Sequence, residues 1–150
     1  MYNEPRLSIE SFPEIIVTHW DLGRLDNLLS YHTAMQSSRV SQFLLRKLMA
    51  AKIVNETEIS AVTVTIGSRV ECHDEDGGTP RVVTIVHPND LDSCDDAVSI
   101  LSPVGATLFG LSEGQSMTYA MPGGRLKNIT VEKVLYQPEA SRRSCAPTHS

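Results

Sequence analysis

Residues 110 to 114 read GLSEG, a match to G-x-S-x-G, the turn that carries the nucleophilic serine of many hydrolases. A working version would make Ser112 the attacking hydroxyl and would need a His and an acid placed to activate it. The surrounding residues point elsewhere. Ser102 is a good N-cap and Pro103 a good first helical residue. Val104, Thr107, Leu108 and Leu111 can face a core, and Gly110 suits the left-handed position that ends a helix. The order is strand, short helix, turn, strand, with Ser112 after the helix. A nucleophile elbow needs a strand entering the serine and a helix leaving it. Ser112 is a turn residue by this reading, and no enzyme activity is expected.

Two other groups could hold a metal. Cys72, His73, His87 and Cys94 are zinc-type ligands, but they lack the paired spacings such sites use. Adjacent Cys72 and His73 would point to opposite faces of a strand. Asp90, Asp92, Asp95 and Asp96 could hold a hard cation, but no EF-hand register connects them. They read as solvated acids around a turn. No metal and no cofactor is expected. There is also no G-x-x-x-x-G-K-[ST] loop for nucleotide phosphates, and no small-molecule substrate is expected.

The elements that position these residues fall into an α+β arrangement. Thr18-His-Trp-Asp21 fits a capping box, with Asp21 reaching back to the Thr18 amide. Behind it Leu22, Leu25, Leu28 and Leu29 give a helix over about residues 19–30. After the polar interval 30–38, Val40, Phe43, Leu44, Leu48 and Ala51 form the stripe of a second helix, ended by Asn55. Two amphipathic helices joined by a short connection predict an antiparallel hairpin, a short coiled coil. From Val64 onward the period becomes extended. Strands are predicted at 63–66, 69–73, 82–86, 97–101, 117–121 and 129–136, with reversals at 74–78 and 122–124. The expected organisation is residues 1–55 as N-terminal segment and hairpin, 56–140 as an antiparallel sheet domain with one short helix, and 141–150 as a disordered tail.

Composition bounds the function. A chain of 150 residues with 41% apolar and 21% charged residues builds one modest core. Its net charge of −5 argues against wrapping a phosphate backbone. Three dispersed cysteines suit a reducing compartment. The start MYNEPRLSIE lacks a signal pattern and nothing reads as a membrane span, so a cytoplasmic location away from membranes is expected.

The segments "IGSRV", "VTIVHP", "SILSPVGATLFGLSEGQ", "PGG" and "VLYQPEA", following a helical hairpin, resemble the Gre family of transcription factors. The likeness runs over about residues 14 to 140 and is strongest to the short-hairpin branch called regulators of nucleoside diphosphate kinase. The resemblance implies an FKBP-like domain whose sheet wraps the helix beginning at Pro103. It implies binding to bacterial RNA polymerase at the rim of the secondary channel, with at most indirect contact to the DNA of the transcription complex. Leu101, Ser102 and Pro103 are the implied polymerase-binding residues, and Tyr31, His32, Met35 and Gln36 the implied hairpin tip. In Gre factors acids at that tip help hold a second Mg²⁺ that activates water for transcript cleavage. Residues 30 to 38 contain no Asp or Glu, so cleavage is not expected. Leu101 stands where Gre factors have an acid before Ser-Pro. Arg39, Arg46, Lys47 and Lys52 are candidates for a basic face toward the polymerase, with a solvated helix face as the simpler reading. A direct or indirect effect on the kinase is the alternative function. A prolyl isomerase, the other activity an FKBP-like fold suggests, is disfavoured because aromatics make up only 5% of residues.

Overall fold

The structure is a computed structural model and describes residues 13–35, 39–74, 78–120 and 124–145. Strand β1 (Ile16–Thr18) runs directly into helix α1 (His19–Met35), and helix α2 (Arg39–Ala50) runs into β2 (Lys52–Val54). The two strands pair in parallel, Ile16 with Lys52 through Thr18 with Val54, so the helix pair leaves and rejoins the body at one place. The body follows: β3 (Arg69–Asp74), β4 (Arg81–Val86), β5 (Ala97–Ser99), α3 (Pro103–Leu108), β6 (Ser116–Ala120), β7 (Leu126–Tyr136) and α4 (Pro138–Cys145). Its five strands lie in the order β5-β4-β3-β7-β6.

The period-2 pattern of β3 explains its place. Val70 and Cys72 are buried while Arg69 is exposed and Glu71 and His73 half-buried, so one face meets the core and the other faces outward. β7 is the longest strand, and its pairing with β3 slips at Arg69/Val70 and at Glu71/Cys72. Such bulges increase the twist of a strand. Ile129 and Val131 of β7, Val83 and Ile85 of β4, and Met117 and Tyr119 of β6 join one core with Leu108, Phe109 and Leu111. Leu25, Leu29 and Leu44 of the helix pair belong to that same core.

Several sequence expectations are corrected. The sheet is not wholly antiparallel: β4 and β5 pair in parallel, because residues 87–96 cross over between them instead of turning back tightly. The stretch 63–66 is not a regular strand; only Thr63 forms a bridge, to Ser112. Helix α1 continues five residues past the expected end at 30, so Tyr31, His32 and Met35 are helical rather than in a loop. Gln36 lies outside the described residues, as do parts of the reversals at 74–78 and 122–124. Ser141 does not open a structureless tail. It is inside α4, whose Arg143 donates to the carbonyls of Glu56 and Ile59, each at 2.9 Å, so tertiary acceptors hold a helix with no apolar stripe.

Candidate functional site

The corner before α3 is built from serine hydroxyls. β5 is an edge strand ending at Ser99. The Ser99 hydroxyl accepts from the Leu101 amide at 2.9 Å, and the Ser99 carbonyl accepts from the Ser102 hydroxyl at 2.7 Å. Ser102 then caps α3 as expected, accepting from the Gly105 amide at 3.1 Å, and Pro103 opens the helix. Gly105 is required for close approach: a Cβ there would stand 2.2 Å from the Ser99 carbonyl oxygen. Leu101, Ser102, Pro103 and Val104 are all half-buried. The sequence thus places three consecutive candidate residues on one hydrogen-bonded, partly exposed corner.

The other end of α3 meets the helix pair. Gly110 takes φ +85° and ends the helix as its type predicts. The carbonyls left over at the end of α3 are met by Lys47 of α2. Its ammonium donates to Ala106 O at 2.9 Å, Thr107 O at 2.8 Å and Phe109 O at 2.5 Å. The side chain is fully buried, with Nζ 5.5 Å from the Phe43 ring centroid. Burial pushes the Lys47 amine well below the usual lysine range. Lys47 therefore belongs to no outward basic face, while Arg39, Arg46 and Lys52 are exposed. The signal was its spacing: 40, 44, 47 and 51 continue one helical stripe.

A second buried charge sits at the start of α1. The Thr18 hydroxyl accepts from the Asp21 amide at 3.0 Å, half of the predicted capping box. Asp21 does not complete it. Its Oδ2 accepts instead from the Ile66 amide of the body at 3.1 Å. Asp21 Oδ1 has no hydrogen-bond partner, and Arg24 approaches it only to 3.8 Å. Desolvation, only partly offset by the Ile66 amide, raises the Asp21 carboxyl to about 6, with Glu139 adding repulsion. Glu139 itself accepts from the Thr65 hydroxyl at 2.8 Å.

The remaining candidates have structural partners. Ser112 follows α3 and opens a turn in which its amide donates to Gln115 Oε1 at 2.9 Å, while its hydroxyl bonds the Thr63 hydroxyl at 2.9 Å across the isolated bridge. Cys72 is buried while His73, on the opposite face, pairs with Glu132. His87 accepts from the Asn89 amide in a tight turn, and Cys94 is exposed. Asp96 holds Thr84 and Arg69. Among the described residues no three His, Cys, Asp or Glu side chains converge on a possible metal position, and no helix is long and apolar enough to cross a membrane.

Comparison with known proteins places this architecture. Residues 59–136 match the family described as "Transcription elongation factor, GreA/GreB, C-term". The chain is 34% identical to the regulator of nucleoside diphosphate kinase of Escherichia coli (strain K12) over 131 residues, 87% of this chain and 96% of that one. It is 31% identical to transcription elongation factor GreA of Nitratidesulfovibrio vulgaris over 81% of this chain and 66% of the relative. A solved prokaryotic transcription elongation factor GreA/GreB from Nitrosomonas europaea shares 31% identity and a TM-score of 0.65, over 83% of this chain and 100% of that chain. With more than half its length inside the family match and a relative covered nearly end to end, this chain belongs to the GreA/GreB family of transcription elongation factors.

Proposed function

We propose that the protein is an RNA polymerase-binding factor that docks at the rim of the secondary channel and modulates elongation without cleaving transcripts. The docking residues in this reading are Leu101, Ser102 and Pro103, on the capped corner of an FKBP-like body. The helix pair acts as an antiparallel hairpin, a short coiled coil presenting Tyr31, His32, Met35 and Gln36 toward the channel. Residues 1–55 carry that hairpin and the body runs from 56 onward, through α4.

The observation that carries the reading is a short helix pair whose connecting end has no acid. Helices of 17 and 12 residues span about 25 and 18 Å at 1.5 Å per residue. Residues 30 to 38 offer no carboxylate to hold a catalytic Mg²⁺. Such a projection can occupy a channel mouth and exclude competitors, but it supplies no cleavage chemistry.

Immobilised core polymerase should retain the intact protein, and Pro103→Ala should weaken retention by loosening the start of α3. Leu101→Asp, which restores the family's acid before Ser-Pro, should tighten it. Backtracked complexes should show no shortening of the transcript. Absence of retention, or transcript shortening by the intact protein, would sink this reading.

A second reading is favoured by the name of the Escherichia coli relative: an effect on nucleoside diphosphate kinase. Stimulation of the purified kinase in the absence of polymerase would establish a direct route. Its absence leaves an indirect one.

A further inference from the structure

We propose that Lys47 is a positioning residue: together with Asp21 it forms a two-point polar joint that fixes the direction of the helix pair relative to the Leu101–Pro103 corner. Each helix of the pair sends one buried charged side chain to the backbone of the body. Asp21 of α1 accepts from the Ile66 amide, and Lys47 of α2 donates to three carbonyls of the 106–109 segment.

The apolar contacts of Leu25, Leu29 and Leu44 hold the pair against the body, but apolar burial is non-directional and tolerates sliding or tilting. Hydrogen bonds constrain distance and angle. A tetrahedral ammonium with three donors and three acceptors has one orientation that satisfies all of them. The acceptors also lie at the negative end of the helix that Ser102 and Pro103 begin. One short helix thereby carries the docking corner at its start and the grip on the helix pair at its end. Any tilt of α2 must break Lys47 bonds or drag the docking helix with it.

The consequence for polymerase binding rests on the function proposed above; the joint itself does not. The test uses the full chain with nitroxide labels at Asn27→Cys and Lys133→Cys, both exposed positions. Cys94 and Cys145 are replaced by serine and the buried Cys72 is kept. The distance distribution between labels should be single and narrow in the parent. Lys47→Met should broaden or shift it while circular dichroism keeps the native signal. Asp21→Asn, which keeps an acceptor for Ile66, should leave it unchanged. A merely structural lysine would lower the melting temperature without changing the distribution, and an unchanged Lys47→Met distribution overturns the proposal. If Lys47→Met fails to fold, Lys47→Gln takes its place, with intermediate broadening expected and none overturning it. Failure of both to fold also counts against a joint separable from the body's stability.

With core polymerase, Lys47→Met should keep retention through the corner yet lose about tenfold, roughly 1.4 kcal/mol, in competition against a cleavage factor. Should the parent not bind polymerase at all, the function falls while the label distances still decide the joint.

Discussion

Lys47 and Asp21 are buried to the same degree, 0% and 1% exposed, yet the protein treats them differently. Lys47 has an acceptor for each of its three protons. Asp21 has the Ile66 amide on one oxygen and nothing within hydrogen-bonding distance on the other. A buried charge is tolerable when its valences are filled, and costly in proportion to those left open. The lysine is thus a strut whose removal leaves orphaned carbonyls. The aspartate is an attachment whose charge works against the fold.

That contrast orders the expected effects of substitution. Lys47→Met strands three carbonyl groups and should lower stability by about 3 kcal/mol, the unsatisfied acceptors outweighing the relief of a desolvated ammonium; urea denaturation measures it. A value near zero would erase the contrast. Gly105→Ala tests the seat of α3 without touching Lys47, since its new Cβ meets the Ser99 carbonyl. A loss of about 2 to 3 kcal/mol is expected from the forced backbone shift.

Asp21→Asn should act in the opposite direction, and only at higher pH. Its folded pKa of about 6 lies above the ordinary value of 3.8. The folded state therefore holds the proton more tightly than the unfolded chain, and this group's contribution is best below about pH 4. It erodes as pH rises toward 6 and stays lost beyond. The asparagine variant should gain about 1 to 2 kcal/mol over the parent at pH 8 and lose that advantage near pH 4. Glu139, Glu56 and Arg24 also act on this carboxyl, so the quantity to follow is the difference between the two proteins across pH. An advantage independent of pH would show that packing, not charge, sets the effect. Smallest is Ser102→Ala, a lost N-cap costing about 1 kcal/mol, visible as a lower melting temperature with the core unaltered.

What the sequence could disclose follows the same line between local and distant partners. The Thr18 cap, the Ser102-Pro103 helix start and Gly110 as its terminator rest on neighbours a few residues away, and the strands around Val70, Val83 and Ile129 show in their own alternation although their partners are distant; each was readable. The turn that Ser112 opens toward Gln115 was readable from its near neighbours too, while its bridge to Thr63 was not. The grip of Lys47 on residues 106–109 lies some sixty positions along the chain, and a lysine type suggests solvent; only its place in the apolar stripe hinted otherwise. Asp21 fitted a local box well enough to hide its bond to Ile66. The direction of β5 beside β4 escaped because the crossover through residues 87–96 sets it, and the helical Ser141–Cys145 stretch because it depends on the distant carbonyls of Glu56 and Ile59, not on periodicity. The residues of the proposed docking corner came from family likeness, and their geometry only with the fold.

The parallel pairing of β1 with β2 has a consequence for how such proteins vary. Because Ile16 through Thr18 and Lys52 through Val54 are held in register below it, the excursion they bracket can gain or lose whole turns while the foundation stays as it is. Seven residues added to each limb would extend it by about 10 Å. Reach is thus a dimension that can change independently of everything beneath it.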